Sequence, residues 1–150
     1  MFLIFSAHFD RDKGLDYGRL SLNSEDGMIQ IWMATTSTAN KQAPESFHQK
    51  GGMIPPHYRC GIPCWKVSTV PIPMPNVTGV SGNFYKIDPH LVRTDKGGER
   101  GDFGIHLDAN TPGSLGCIVM NGDRFHSFEA EMKKLAGQGV KQIPLFVQYS

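Results

Sequence analysis

The sequence predicts a mainly β, single-domain protein carrying one α-helix, and three observations carry that reading. Glycine (17) and proline (10) are abundant in a chain of 150 residues, which favours many turns and short strands over a helix bundle. Most apolar segments are short and alternate with polar residues, the period of a half-buried strand. One segment alone, near the C-terminus, repeats its apolar residues at helical spacing. The length suits one domain with one core. A hydrophobic fraction of 39% against 19% charged residues fits a globular chain and argues against disorder.

Taken in order, Phe2 to Phe5 reads as the first strand. It lacks a basic start and runs at once into the charged stretch Asp10 to Lys13, so it does not read as a signal peptide. Leu15 to Leu22 and Met28 to Met33 alternate as strands, with Asn23 to Gly27 as a hairpin loop between them. Residues 34–64 are rich in Thr, Ser, Pro and Gly, and read as long connections bordering a cleft. Lys66 to Ile72 is a strand candidate that Pro71 and Pro73 push towards an edge or an end. Phe84 to Ile87 is another short strand. Gly97 to Asp102 reads as a turn feeding a strand from Phe103 to Leu107. A helix is expected from about Asp123 to Ala136, where Phe125, Phe128, Met132 and Leu135 share one face. Asn121 or Asp123 can cap its start, and Gly137 or Gly139 its end. Gln142 to Tyr149 closes the chain as a strand.

Net charge is +1 with no basic run, so no nucleic-acid partner is expected. No apolar stretch is long enough to span a bilayer. The three cysteines, Cys60, Cys64 and Cys117, are an odd set that does not read as a disulfide framework and leaves at least one thiol for chemistry. His57, Cys60 and Cys64 have the look of a metal cluster, but zinc wants four ligands, or three with an open water; His48 or His90 would have to complete it, and no metal and no cofactor is assigned.

The chemistry concentrates between Phe103 and Met120. A thiol attacks as thiolate, so a nearby imidazole that takes its proton raises its reactivity near neutral pH. His106 ends a probable strand, and Cys117 follows across a loop of Pro112, Gly113, Ser114 and Gly116 that can fold back and bring the two together. Gly116 lets a substrate carbonyl approach the backbone, where main-chain N–H groups can face a developing oxyanion. Ser114 can hold the loop. Asp108, Asn110 and Leu115 are candidate substrate contacts in that loop, although Asp108 and Asn110 also suit plain turn-building roles. Trp32, Tyr58, Phe84 and Tyr85 are aromatics that can line a groove, although an aromatic in a strand is usually core.

The order His106, short loop, Ser114-Leu-Gly-Cys117-Ile118 resembles the signature of the L,D-transpeptidase (YkuD-like) catalytic domain, in which a His and a loop precede Ser/Thr-His-Gly-Cys, an apolar residue and often Arg. Trp32 to Thr36 resembles an early strand of that family, and Lys50 to Tyr58 its Gly-Pro-rich segment ending in Tyr. The C-terminal helix and final strand also fit. The resemblance implies a β-sandwich-like fold with one α-helix after the catalytic Cys, over residues 1–150. It implies a Cys117 nucleophile that forms a thioester with a peptidoglycan stem peptide. His106 is then base and acid in turn, oriented by a main-chain carbonyl for which Leu107 is placed. Leu115 stands where the family has His, and Val119 where it often has Arg; Arg93, Arg100 and Arg124 are the substitutes the chain offers. Cross-linking and hydrolysis both remain open outcomes, the short loop resembling that of compact phage or effector members. A sortase-like or other His–Cys peptidase, or a non-catalytic wall-binding module, is the alternative. The expected setting is a monomer acting on the bacterial cell wall, made in the cytoplasm and delivered by phage lysis or dedicated secretion.

Overall fold

The computed structural model describes residues 1–8, 17–36, 52–56, 65–89, 91–93, 98–110, 113–114 and 116–150. In chain order the strands are β1 (Phe2–Ala7), β2 (Tyr17–Ser24), β3 (Gly27–Thr35), β4 (Trp65–Ser68), β5 (Ile72–Met74), β6 (Gly82–Asp88), β7 (Leu91–Arg93), β8 (Glu99–Gly101), β9 (Gly104–Leu107) and β10 (Ile118–Met120). Helix α1 (Gly122–Gly137) and strand β11 (Gln142–Tyr149) complete the chain. The protein is therefore mainly β, with a single helix among the described residues directly after Cys117.

Alternation does most of the work. On β1, Leu3, Phe5 and Ala7 turn inward; on β2, Leu20 and Leu22; on β3, Trp32 and Ala34; on β11, Ile143, Leu145 and Val147. Their partners in the ladder match, with Leu3 level with Leu145 and Leu22, and Phe5 level with Val147 and Leu20. Every inward residue thus faces one core. The ladder runs β4-β11-β1-β2-β3-β10-β9-β6, and β4 also pairs with β6, so the sheet closes on itself, with β5 attached along β6. Closure leaves no free edge between these strands. A separate hairpin joins β7 to β8.

Three expectations need correction. Lys66 to Ile72 is not one strand. β4 and β5 lie along the same partner β6, but from Val67 to Ile72 the chain advances five residues while β6 advances three, from Ile87 to Phe84. The surplus turns away at Thr69, whose N–H and hydroxyl bind the Lys141 carbonyl at 3.0 and 3.1 Å. Glu99 to Gly101, read as a turn, is strand β8. Residues 34–35 continue β3, and the described part of the supposed cleft-bordering connection, residues 52–56, is wholly buried.

Helix α1 has the expected face: Phe125, Phe128, Met132 and Leu135 are all buried, and Asn121 is the N-cap, accepting from the Arg124 N–H at 3.4 Å. Gln138 is the C-cap, and Gly139 follows it at positive φ (84°). The helix packs on the inner side of β3, where the Trp32 indole N–H donates to Ser127 at 3.0 Å and its ring meets Phe128 edge-on at 5.5 Å. No helix among the described residues is long and apolar enough to cross a membrane.

Candidate active site

β9 and β10 are parallel neighbours, with Ile118 level with Ile105, Val119 with His106 and Met120 with Leu107. Ile105, Ile118 and Met120 point into the core. His106 and Val119 therefore point to the outer face, and Cys117 stands in the bend immediately before β10. The parallel pairing of β9 with β10 sets the thiol at the entry to β10, alongside the start of β9, where it meets the Asp102 carbonyl and the Gly104 N–H.

His106 is buried, 7% exposed. Its Nδ1 lies 2.7 Å from the Leu107 main-chain carbonyl oxygen. A carbonyl only accepts, so Nδ1 carries the proton and Nε2 is the basic nitrogen. Phe84, on the adjoining β6, stacks against the ring at 5.8 Å and 26°. Phe84 needs Gly104 beneath it: a Cβ there would sit 2.2 Å from the Phe84 ring. Burial lowers the His106 pKa below the usual imidazole value, with the Leu107 carbonyl and the Asp108 charge pulling partly the other way.

Cys117 is a free, partly exposed thiol. Its S–H donates to the Asp102 carbonyl at 3.7 Å, at the start of β9. Desolvation pushes the thiol up to about 11; the Gly104 main-chain N–H works against this by hydrogen-bonding the thiolate, and the Asp102 charge works with it. Both groups are thus neutral near pH 7. Neutral groups of this kind are not a standing thiolate–imidazolium pair.

The connection from β9 to β10 is tied at both ends. The Asp108 carboxylate accepts from the Gly113 N–H at 3.0 Å, and the Asp108 N–H donates to the Met120 carbonyl at 2.8 Å. The Ser114 hydroxyl donates to the Cys117 carbonyl. Gly116 has φ +123° and no room for a side chain: a Cβ would stand 2.9 Å from Phe103, 3.0 Å from the Arg100 guanidinium and 3.0 Å from the Gly52 carbonyl. Its own carbonyl accepts from Thr36 at 3.0 Å, and the same Thr36 oxygen accepts from the Ile54 N–H at 3.1 Å.

Segment 52–56 thereby becomes the wall behind Gly116, next to Cys117. Arg100 binds the Met53 and Gly52 carbonyls at 3.1 and 2.7 Å, Tyr149 the Ile54 carbonyl at 2.7 Å, and the Trp65 indole the Pro55 carbonyl at 3.1 Å. Arg100 is buried, and its guanidinium lies 5.0 Å from the Phe103 ring centre. Of the three arginines offered by the sequence, it is the one packed against Gly116. Arg93 is exposed and paired with Glu99 at 3.7 Å; Arg124 stands on the first turn of α1.

The remaining candidates divide. Asn110 is exposed in the bend after β9. Trp32 is corrected from groove aromatic to core residue: it is 3% exposed and its N–H is committed to Ser127. Tyr85 is likewise core, its hydroxyl donating to Glu129 at 2.8 Å. Tyr58 and Leu115, with His57, Cys60 and Cys64, lie outside the described residues. Thr36 was missed by sequence reasoning; a threonine ending a strand carries no signal that its hydroxyl bridges two distant segments. Among the described residues no group of three or more His, Cys, Asp or Glu side chains is placed to hold a metal ion.

Fold and site together define a β-rich protein with a buried histidine on one of two parallel strands and a free cysteine immediately before the other. No protein-family model matches the chain, nor does any curated protein or any solved structure.

Proposed function

We propose that the protein is a cysteine acyl-enzyme of the L,D-transpeptidase type, acting on peptidoglycan stem peptides at the bacterial cell wall. The observation that carries this reading is a neutral imidazole on β9, its Nε2 left basic by the Leu107 carbonyl, with a free thiol, Cys117, immediately before the neighbouring strand β10. The choice of substrate rests on the resemblance of His106 and Ser114-Leu-Gly-Cys117 to the family signature. A closed β ladder whose opposite walls face each other across one core is compatible with the sandwich-like fold that the resemblance implies.

In this reading the Cys117 sulfur bonds to the peptide carbonyl carbon while Nε2 of His106 takes the thiol proton. The tetrahedral intermediate collapses, the C–N bond breaks, and the leaving amine takes that proton from His106. A thioester remains. An amine or water then attacks it with His106 again as base, and Cys117 is released as the thiol. Ser114, Thr36 and Arg100 position the backbone on either side of the sulfur; they do not touch the reacting bond.

The test is incubation with purified peptidoglycan followed by mass analysis of the muropeptides. A new cross-link or a shortened stem is expected from the wild type and from neither Cys117→Ala nor His106→Ala. Undiminished turnover by Cys117→Ala would rule the proposal out. The products also tell an amine acceptor from water.

A further inference from the structure

Outside the His–Cys pair, the outer face carries a second feature that the mechanism does not use. A cleft of about 260 Å³ starts beside His106. It is lined by Val119, which is level with His106, and by Asp108, Tyr17, Met33 and Arg124. Tyr17, Met33 and Arg124 also line a larger cavity of about 880 Å³, which extends over the outer face to Arg19, His8 and Gln148. The two therefore share a wall and form one trough that begins beside His106.

Its floor is apolar and open: Tyr17 is 52% exposed, Met33 48% and Ile31 44%. Its charge is one-sided. Arg19 and Arg124 both line the larger cavity, and no Asp or Glu side chain does among the described residues. Among the described residues neither guanidinium makes an ion pair or a side-chain hydrogen bond. The one carboxylate in the smaller cleft, Asp108, is held by the Gly113 N–H. Two unpaired guanidinium groups over an apolar floor suit an extended peptide with a free carboxylate, which each can bind through paired N–H donors.

We infer that Arg124 and Arg19 form the carboxylate-binding subsite of the acyl-transfer site, holding a free carboxylate of the peptide whose carbonyl is presented to Cys117. This rests on the acyl-transfer reading and adds the specificity to it.

Binding separates the subsite from the chemistry. The probes are a synthetic stem tetrapeptide with free carboxylates and the same peptide with every carboxylate amidated, titrated calorimetrically into the Cys117→Ala protein. The acid is expected to bind about 10- to 100-fold more tightly than the amide. Adding Arg124→Gln or Arg19→Gln shrinks that ratio, both together bring it to about one, and Arg124→Lys retains part of it. Equal affinity for the two peptides, or a preference that survives both Gln substitutions, overturns the subsite. Cys117-dependent turnover of peptidoglycan that is indifferent to Arg124→Gln and Arg19→Gln removes the subsite and leaves the acyl-transfer reading standing. Turnover that survives Cys117→Ala removes both.

Discussion

At the scale of single residues, His106 is set by one main-chain oxygen. The Leu107 carbonyl holds Nδ1–H, and burial keeps the ring neutral below the ordinary imidazole value near 6.5. Activity that needs the neutral ring therefore extends to lower pH than an exposed histidine allows. The acid limb of kcat/KM should have its midpoint below about 6.5, whereas a midpoint above that value would contradict a desolvated base. The Cys117 thiol should ionise only near 11, followed by thiolate absorbance in the His106→Ala protein.

The sign for stability follows from the same shifts. His106 has a lowered pKa in the fold, so its contribution is present above about 6.5 and is lost as pH falls and the unfolded chain takes the proton first. Cys117 has a raised one, so its contribution is present below 9.0 and is lost between there and about 11. Urea midpoints of wild type and Cys117→Ala should diverge in that alkaline window; parallel curves would contradict the buried thiol. His106 and Cys117 were legible in the sequence because the motif that carries them is local. Trp32 was misread because an aromatic on a strand looks the same whether its face meets solvent or, as here, a helix far along the chain.

At the scale of elements, the β9–β10 connection depends on Gly116. A side chain there would meet Phe103, Arg100 and the Gly52 carbonyl, at a φ that L-residues rarely adopt. Gly116→Ala should cost roughly 2–4 kcal/mol in urea denaturation, from backbone strain and overpacking together. A midpoint like the wild type's would show that the connection relaxes freely. The length of each element decides whether its period can be read from the chain. α1 shows several helical turns of periodicity, and β1, β2, β3 and β11 several alternations. β10 is three buried residues, Ile118–Met120, too short to show any period, and β8 is a short pairing whose partner lies across residues outside the described set.

At the scale of the whole molecule, closure of the ladder joins the pieces of the site. β6 meets β9 on one side and β4 and β5 on the other, so the strand that supplies Phe84 to His106 also closes the ring. Segment 52–56, held by Thr36, Arg100, Tyr149 and Trp65, joins the end of β3, β8, β11 and β4 behind Cys117. Closure is a pairing between distant strands and leaves no local mark in the sequence, whereas the β content and the helix after Cys117 do.

The central claim, acyl chemistry at Cys117, is tested most directly by intact-protein mass spectrometry after brief incubation with stem tetrapeptide, quenched in acid. The expected result is a covalent adduct of the acyl fragment on wild-type protein, mapped to Cys117 and absent from Cys117→Ala. Turnover of the peptide with no adduct on the wild type, or an adduct that persists in Cys117→Ala, would contradict it.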